Sequence, residues 1–259
     1  MTLTDTPAPT PPSPEPPAAR PIRWKEIVAV WLVLTAITVV GDLVVFPRVM
    51  PRSASTTMHL TIVTVVLFSV TAAPVGSLVY AGAVYALRHW RAGSGDEPPP
   101  EGPPYRKHNQ LSIAWLSISA MLAVFLLVWG LGALAADNAV AQKATMTVDA
   151  TGQQWLWTFH YPGTKVTTET PYLPVGRTVT FDVTSLDVTH SFWIVQMGAK
   201  IDANPGEVTT VSVTPTRIGD FDVRCAELCG LYHAFMTTQI HVVSASQYQS
   251  WLQTQELSA

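Results

Sequence analysis

The chain has 259 residues, a net charge of −3, a mean hydropathy of +0.25 and only 13% charged residues. So apolar a composition points to a membrane protein and argues against a single soluble domain. Neither a P-loop nor a G-x-G-x-x-G stretch occurs, and nothing in the sequence suggests nucleic-acid binding.

In chain order, residues 1–22 are dense in Pro, Thr and Ala. Such a stretch cannot bury a core and is expected to be disordered. Residues 23–136 read as a transmembrane region with helices near 26–47, 60–87 and 111–135. Leu60–Leu87 is uncharged over 28 residues and Leu111–Ala135 over 25, against the ~20 that cross a bilayer. Pro74 and Gly76 are expected to kink the second run. The first run, Ile27–Phe46, follows Arg20, Arg23 and Lys25 and contains Asp42. It reads as a retained helix or as the apolar part of a cleaved signal. Retention is favoured, because the small residues Ser53-Ala54-Ser55 lie far past the apolar stretch. Asp42 then sits near the outer end of the helix or faces a partner subunit, since a lipid-facing carboxylate is costly.

Basic residues gather before the first run (Arg20, Arg23, Lys25) and between the second and third (Arg88, Arg91, Arg106, Lys107); the opposite loop has Arg48 and Arg52. Positive flanks stay inside, which places the N-terminus in the cytoplasm and the segment after Ala135 outside the cell membrane. The Pro-rich stretch Gly93–Pro104 cannot continue a helix and reads as a connection.

Residues 137–259 read as an external domain. Short β-branched or aromatic runs at Met146–Ala150, Gln154–His160, Thr178–Thr184, Glu207–Val213 and Gln239–Val243 alternate with turn signals such as Thr151-Gly152, Pro162-Gly163 and Pro205-Gly206. This pattern predicts a Greek-key β-sandwich or barrel. Ser244–Leu252 reads as a short helix with Ser244 or Ser246 as its N-cap. From Asp137 onward there are 11 Asp/Glu against 6 Lys/Arg, a balance of −5.

The only two cysteines fall in Cys225-Ala-Glu-Leu-Cys229-Gly-Leu-Tyr-His233-Ala-Phe-Met236, and His190 lies in Asp187-Val-Thr-His190-Ser-Phe-Trp193. Several readings of the cysteines are open. They can pair as a disulfide. Zinc has no use for Met, and a mononuclear blue-copper site leaves one cysteine surplus. Two thiolates four residues apart can also bridge a pair of copper ions, with His190, His233, Met236 and a main-chain carbonyl as further ligands. Soft sulfur donors favour copper over magnesium or calcium. No Cys-x-x-Cys-His occurs, so no covalently attached haem is expected.

Four ordered blocks carry a resemblance to a known family: Gln154-Trp155-Leu156-Trp157, Asp187-Val-Thr-His190-Ser191, Lys200-Ile-Asp202-Ala-Asn-Pro205-Gly206, and the cysteine loop. From about Lys107 to Leu252 the chain resembles subunit II of haem-copper cytochrome c oxidases, whose loop motif binds the binuclear copper A centre. The resemblance implies a membrane-anchored cupredoxin-like Greek-key β-sandwich. It implies Cys225 and Cys229 as bridges between two copper ions. His190 and Met236 would complete one ion, and His233 and the carbonyl of Glu227 the other. It further implies magnesium at the partner interface through the Glu227 carboxylate, with Lys200 and Asp202 nearby. Trp155 matches the residue at which electrons enter.

The implied partners are a haem-bearing catalytic subunit I, further oxidase subunits and a cytochrome c donor. The implied activity is oxygen reduction to water in the partner, coupled to proton pumping, with a nitric oxide reductase-type complex as the alternative. The chain departs from the family pattern at Leu156, His160, Glu207 and Arg224. Asp187 is expected to be one of the few acids left for docking a basic cytochrome. Strand alternation predicts that Trp155 and Trp157 share one face, buried together or exposed together.

Overall fold

A computed structural model describes residues 22–89 and 109–258. Most of the Pro-rich N-terminus, the linker Gly93–Pro104 and the basic residues Arg20, Arg91, Arg106 and Lys107 lie outside the described residues. Helix α1 (Trp24–Val44) is followed by a single turn, α2 (Phe46–Val49). Pro47 stands in the first positions of that turn and Pro51 follows it, and proline lacks the amide hydrogen that a continuing helix needs. Helix α3 spans Thr56–His89 and contains Pro74; α4 spans Asn109–Ala141. Three stretches are long and apolar enough to cross a membrane: Trp24–Val49, Thr56–His89 and Gln110–Ala141. Helix α4 therefore continues six residues beyond the apolar run that ends at Ala135.

Polar side chains join α1 to α3. Trp31 Nε1 donates to the Pro74 carbonyl at 2.7 Å, and the Thr38 and Ser77 hydroxyls meet at 3.3 Å. At the basic ends of both helices, the Arg23 amide donates to the Tyr85 hydroxyl and Glu26 faces His89 at 3.4 Å. These ends lie together, as the distribution of positive charge requires. Helix α4 meets α3 through Trp129 Nε1 donating to Thr64 Oγ1, and through Thr57 Oγ1 donating to Asp137.

Ten strands follow: β1 (Met146–Gln153), β2 (Leu156–His160), β3 (Thr167–Thr168), β4 (Tyr172–Pro174), β5 (Val179–Ser185), β6 (His190–Ile194), β7 (Ala199–Ala203), β8 (Thr209–Val213), β9 (Gly219–Cys225) and β10 (Thr237–Val243). They form two five-stranded sheets, ordered β3-β2-β1-β5-β8 and β4-β10-β9-β6-β7. Along β5 every second residue is buried, as expected of a strand with one face in a core. Phe159 and Phe181 from the first sheet pack around Phe192 of the second, with ring centroids 5.9 and 5.1 Å away; Trp157 joins at 5.3 Å. All four are buried, so the two sheets close on one aromatic core.

Helix α5 (Ala245–Ser258) runs six residues beyond the predicted Leu252. It starts as predicted: Ser244 Oγ accepts from the Gln247 amide, and Gln247 Oε1 accepts from the Ser244 amide, a reciprocal capping box. Its Trp251 stacks on Tyr172 at 4.7 Å.

The loop between α2 and α3 contributes to the β-domain. Ala54 is fully buried in the sandwich core; its amide donates to the Gln196 carbonyl and its carbonyl accepts from the Thr216 amide. Ser55 Oγ donates to the Met197 carbonyl at 2.6 Å. The end of the sandwich that meets α3 is thereby fixed to the helices.

Candidate metal centre

Strands β9 and β10 form an antiparallel hairpin whose last ladder pair is Arg224–Thr237. One step beyond it the Cys225 amide donates to the Met236 carbonyl at 3.0 Å. The hairpin stem thus sets Cys225 and Met236 side by side, and residues 226–235 form the loop between them. Strand β6 pairs with β9 through Phe192 and Cys225, and the Ala226 amide donates to the Ser191 carbonyl. That pairing brings His190, the first residue of β6, against the loop. His190 and Met236 are fully buried, and Cys225 and Cys229 nearly so.

The donor atoms converge. The two Sγ atoms lie 3.7 Å apart, Cys225 Sγ lies 3.8 Å from His190 Nδ1, and Cys229 Sγ lies 3.6 Å from His233 Nδ1. Met236 Sδ is 3.8 Å from Cys229 Sγ, and the Glu227 carbonyl oxygen is 3.2 Å from Cys225 Sγ. The cysteines are free thiols, well beyond the ~2.0 Å of a disulfide. Two donors bound to one ion by bonds of ~2.0–2.3 Å at a tetrahedral angle stand about 3.5 Å apart. The observed separations match that value, so the cluster fits a thiophilic metal. His190, Cys225 and Cys229 alone place their ligand atoms within 4.8 Å of one another.

Burial pushes the Cys229 thiol up to about 12, and the neighbouring Cys225 adds to the rise. Two adjacent buried thiolates repel each other, so a cation is needed to hold both in the charged form.

The surroundings fix the ligands. Asp187 Oδ1 lies 2.8 Å from His190 Nε2, and Oδ2 accepts from the Gln154 amide at 2.8 Å. The Val188 amide also donates to Oδ1. Burial by itself would raise this carboxyl; the Gln154 amide, the His190 ring and the Val188 amide outweigh it and hold it down to about 2. A carboxylate on Nε2 places the imidazole proton there and leaves Nδ1 free to face Cys225. Asp187 therefore also serves His190, a role that its local sequence does not reveal.

Gly152 makes room for the same ring. A Cβ there would stand 3.0 Å from Trp157 and 3.1 Å from His190 Cδ2. Sequence reading took Gly152 for a turn; it lies inside β1. Gly152→Ala is expected to displace His190 and cost about 1–3 kcal/mol, measured as a lower denaturant midpoint together with an altered metal-site spectrum.

Trp155 lies in the turn between β1 and β2, not on a strand, so strand alternation does not relate it to Trp157. Trp157 is buried in the core, whereas Trp155 is half-buried beside the cysteine loop. Trp155 Nε1 donates to the Cys229 carbonyl at 3.3 Å, and Gln154 Nε2 donates to the same oxygen at 2.7 Å. Tyr232 packs edge-on against Trp155 at 4.8 Å. Gly230 adopts φ +121°, and a Cβ there would stand 3.0 Å from Gln154 Nε2. Gln154, Asp187, Gly152 and Gly230 are thus the neighbours that sequence reasoning did not assign to the site.

Other predicted residues turn their side chains to the surface. Lys200 and Asp202 face each other at 3.7 Å on β7, both exposed. Glu227 is exposed, as are Leu156 and Arg224.

Residues 166–243 match the family described as cytochrome C oxidase subunit II, periplasmic domain. The chain is 36% identical to a cytochrome c oxidase subunit 2 of Thermostichus vulcanus, over 47% of this chain and 37% of that protein. It is 32% identical to an alternative cytochrome c oxidase subunit 2 of Bradyrhizobium diazoefficiens, over 60% of this chain and 67% of that protein. With a cytochrome c oxidase subunit 2 of Candida glabrata the identity is 31%, over 58% of this chain and 71% of the relative. The crystal structure of the periplasmic domain of subunit II of cytochrome oxidase of Bradyrhizobium japonicum is 32% identical, over 45% of this chain and 96% of that one, with a TM-score of 0.42.

A β-sandwich joined to membrane-capable helices defines a membrane protein with an external domain, and its buried Cys-Cys-His cluster is a candidate metal site. The chain belongs to the cytochrome c oxidase subunit 2 family. It spans between 37% and 71% of the length of these three relatives.

Proposed function

We propose that this chain is the subunit through which electrons enter a respiratory terminal oxidase. In this reading residues 137–259 form a cupredoxin-like domain outside the membrane, and all three apolar helices are retained. Cys225 and Cys229 would hold two copper ions, with His190, His233, Met236 and the Glu227 carbonyl as the further ligands. The observation that carries the reading is the convergence of five side-chain donors and one carbonyl, each 3.2–3.8 Å from a cysteine sulfur. When bound, the copper pair supplies a one-electron store shared across both thiolates.

The protein's own residues do the rest. Asp187 orients His190, while Gln154 and Trp155 hold the Cys229 carbonyl. A site built on paired strands and held by such contacts changes little in shape, which keeps electron transfer fast. Trp155, joined to the cysteine loop and reaching the surface beside Tyr232, is the point at which electrons enter. The exposed Glu227 carboxylate supplies an oxygen ligand to magnesium at the interface with the partner.

The donor is a cytochrome c. The partners are a haem-bearing catalytic subunit and further oxidase subunits, in which oxygen is reduced to water with proton pumping.

Metal analysis of the purified assembly tests the centre: two coppers assigned to this chain, with an EPR spectrum of one electron spread over two equivalent nuclei, support it. One copper, or a Cys225–Cys229 disulfide in the active assembly, removes it. Trp155→Phe is expected to slow electron transfer from the donor at least tenfold with copper content unchanged, measured by rapid mixing.

A further inference from the structure

A cavity of about 490 Å³ lies at the end of the sandwich opposite the cysteine loop, where β5 begins and β10 gives way to α5. Lys143, Arg177, Tyr248 and Gln249 line it, with the backbone at Gly176. Among the described residues its lining contains no acid, although the domain as a whole is acidic. Arg177 is held ready: its Nη2 donates to the Thr145 carbonyl at 2.8 Å and its Nε to Thr145 Oγ1 at 3.1 Å.

The position of the cavity is set by the helices. Lys143 follows the end of α4 by two residues, and its amide still donates to the Val140 carbonyl. The Gly176 amide donates to the Pro215 carbonyl; Pro215 bridges to Ser55, and the neighbouring Thr216 amide donates to Ala54. Both helices that carry the sandwich therefore reach it at this end.

Further along the same helices an apolar groove of about 340 Å³ runs between α4 and α3. Leu60, Phe125, Trp129, Gly132 and Ala136 line it. Phe125, Trp129, Gly132, Ala136 and Val140 recur every three or four residues, so they share one face of α4, and Lys143 lies two residues past its end. A smaller space at Leu60, Ala136 and Val140 continues the groove upward. Asp137, which borders that space, accepts from Thr57 Oγ1. Ala136 and Lys143 are seven residues apart, about 10 Å on a helical rise, against a headgroup layer of about 5–8 Å, and a lysine can bend its chain back toward the interface.

We infer that this face of α4 holds an anionic phospholipid, with its phosphate between Lys143 and Arg177 and an acyl chain in the groove lined by Phe125, Trp129 and Gly132. A guanidinium and an ammonium without a competing carboxylate suit a phosphate. The apolar groove further along the same helices suits a chain that a free phosphate lacks.

The intact assembly is placed in nanodiscs of phosphatidylcholine containing a minor fraction of phosphatidylglycerol, and retained lipid is counted by native mass spectrometry. Wild type is expected to retain phosphatidylglycerol over phosphatidylcholine. Lys143→Gln and Arg177→Gln are each expected to lower that retention about fivefold, with copper content and thermal transition unchanged. Gly132→Leu, which fills the groove but keeps both charges, is expected to lower it as well. Equal retention of both lipids by wild type, or unchanged retention in the charge variants, overturns the inference. Release of the lipid by millimolar inorganic phosphate, with Gly132→Leu having no effect, assigns the cavity to free phosphate and also overturns it.

Discussion

Cys229→Ser is expected to abolish the paired metal centre and lower donor-driven turnover by at least a hundredfold. Cys229 Sγ stands within 3.6–3.8 Å of Cys225 Sγ, His233 Nδ1 and Met236 Sδ, so its loss removes the sulfur that the His233 and Met236 donors face. A hydroxyl is a hard, weakly acidic donor and does not replace a bridging thiolate for a soft ion. The fold is expected to persist, because Gln154 and Trp155 hold the main-chain carbonyl of residue 229 and not its side chain. Copper analysis and circular dichroism on the same preparation separate the two effects. Loss of copper with an unchanged β-domain is the expected result; full copper content would count against bridging by Cys229.

Asp187→Asn is expected to weaken copper binding by about 10–100-fold, the range found when the outer partner of a ligating histidine is removed. The carboxylate receives the His190 ring together with the Gln154 and Val188 amides. A neutral amide of the same shape fills the space but accepts more weakly and carries no charge to fix the imidazole tautomer. Competition with a chelator measures the change. Because the Asn side chain keeps the volume, a shift in thermal stability of the metal-free protein should be small beside the change in affinity. Equal affinity would make Asp187 a surface acid and nothing more.

The parts of this protein legible in sequence were those written locally. Two long uncharged runs mark helices long and apolar enough to cross a membrane, and the cysteine loop concentrates its donors within twelve residues. The capping box at Ser244 and Gln247 is equally local.

What depends on contacts between distant segments was misread or missed. The hold of Asp187 on the Gln154 amide, 33 residues away, leaves no mark in the local sequence. Trp155 and Trp157 were placed on one face because the alternation was carried through a hairpin turn that resets it. Strand β6 shows no alternation at all, since His190, Ser191 and Phe192 are buried in succession. Strand β9 does alternate, with Phe221, Val223 and Cys225 inward, and its pattern was available in the sequence. Ala54 carries no local signal; only the folded sandwich shows that a residue between two membrane helices completes its core.

The central claim is that electrons pass from the donor to the partner's haem by way of the sulfur-held copper pair. Rapid mixing of the reduced donor with the intact assembly tests it directly, with the copper–thiolate absorption and the haem absorption followed together. The copper band is predicted to bleach before the haem is reduced. Haem reduction at the wild-type rate in an assembly carrying Cys229→Ser, without copper in this subunit, would contradict it.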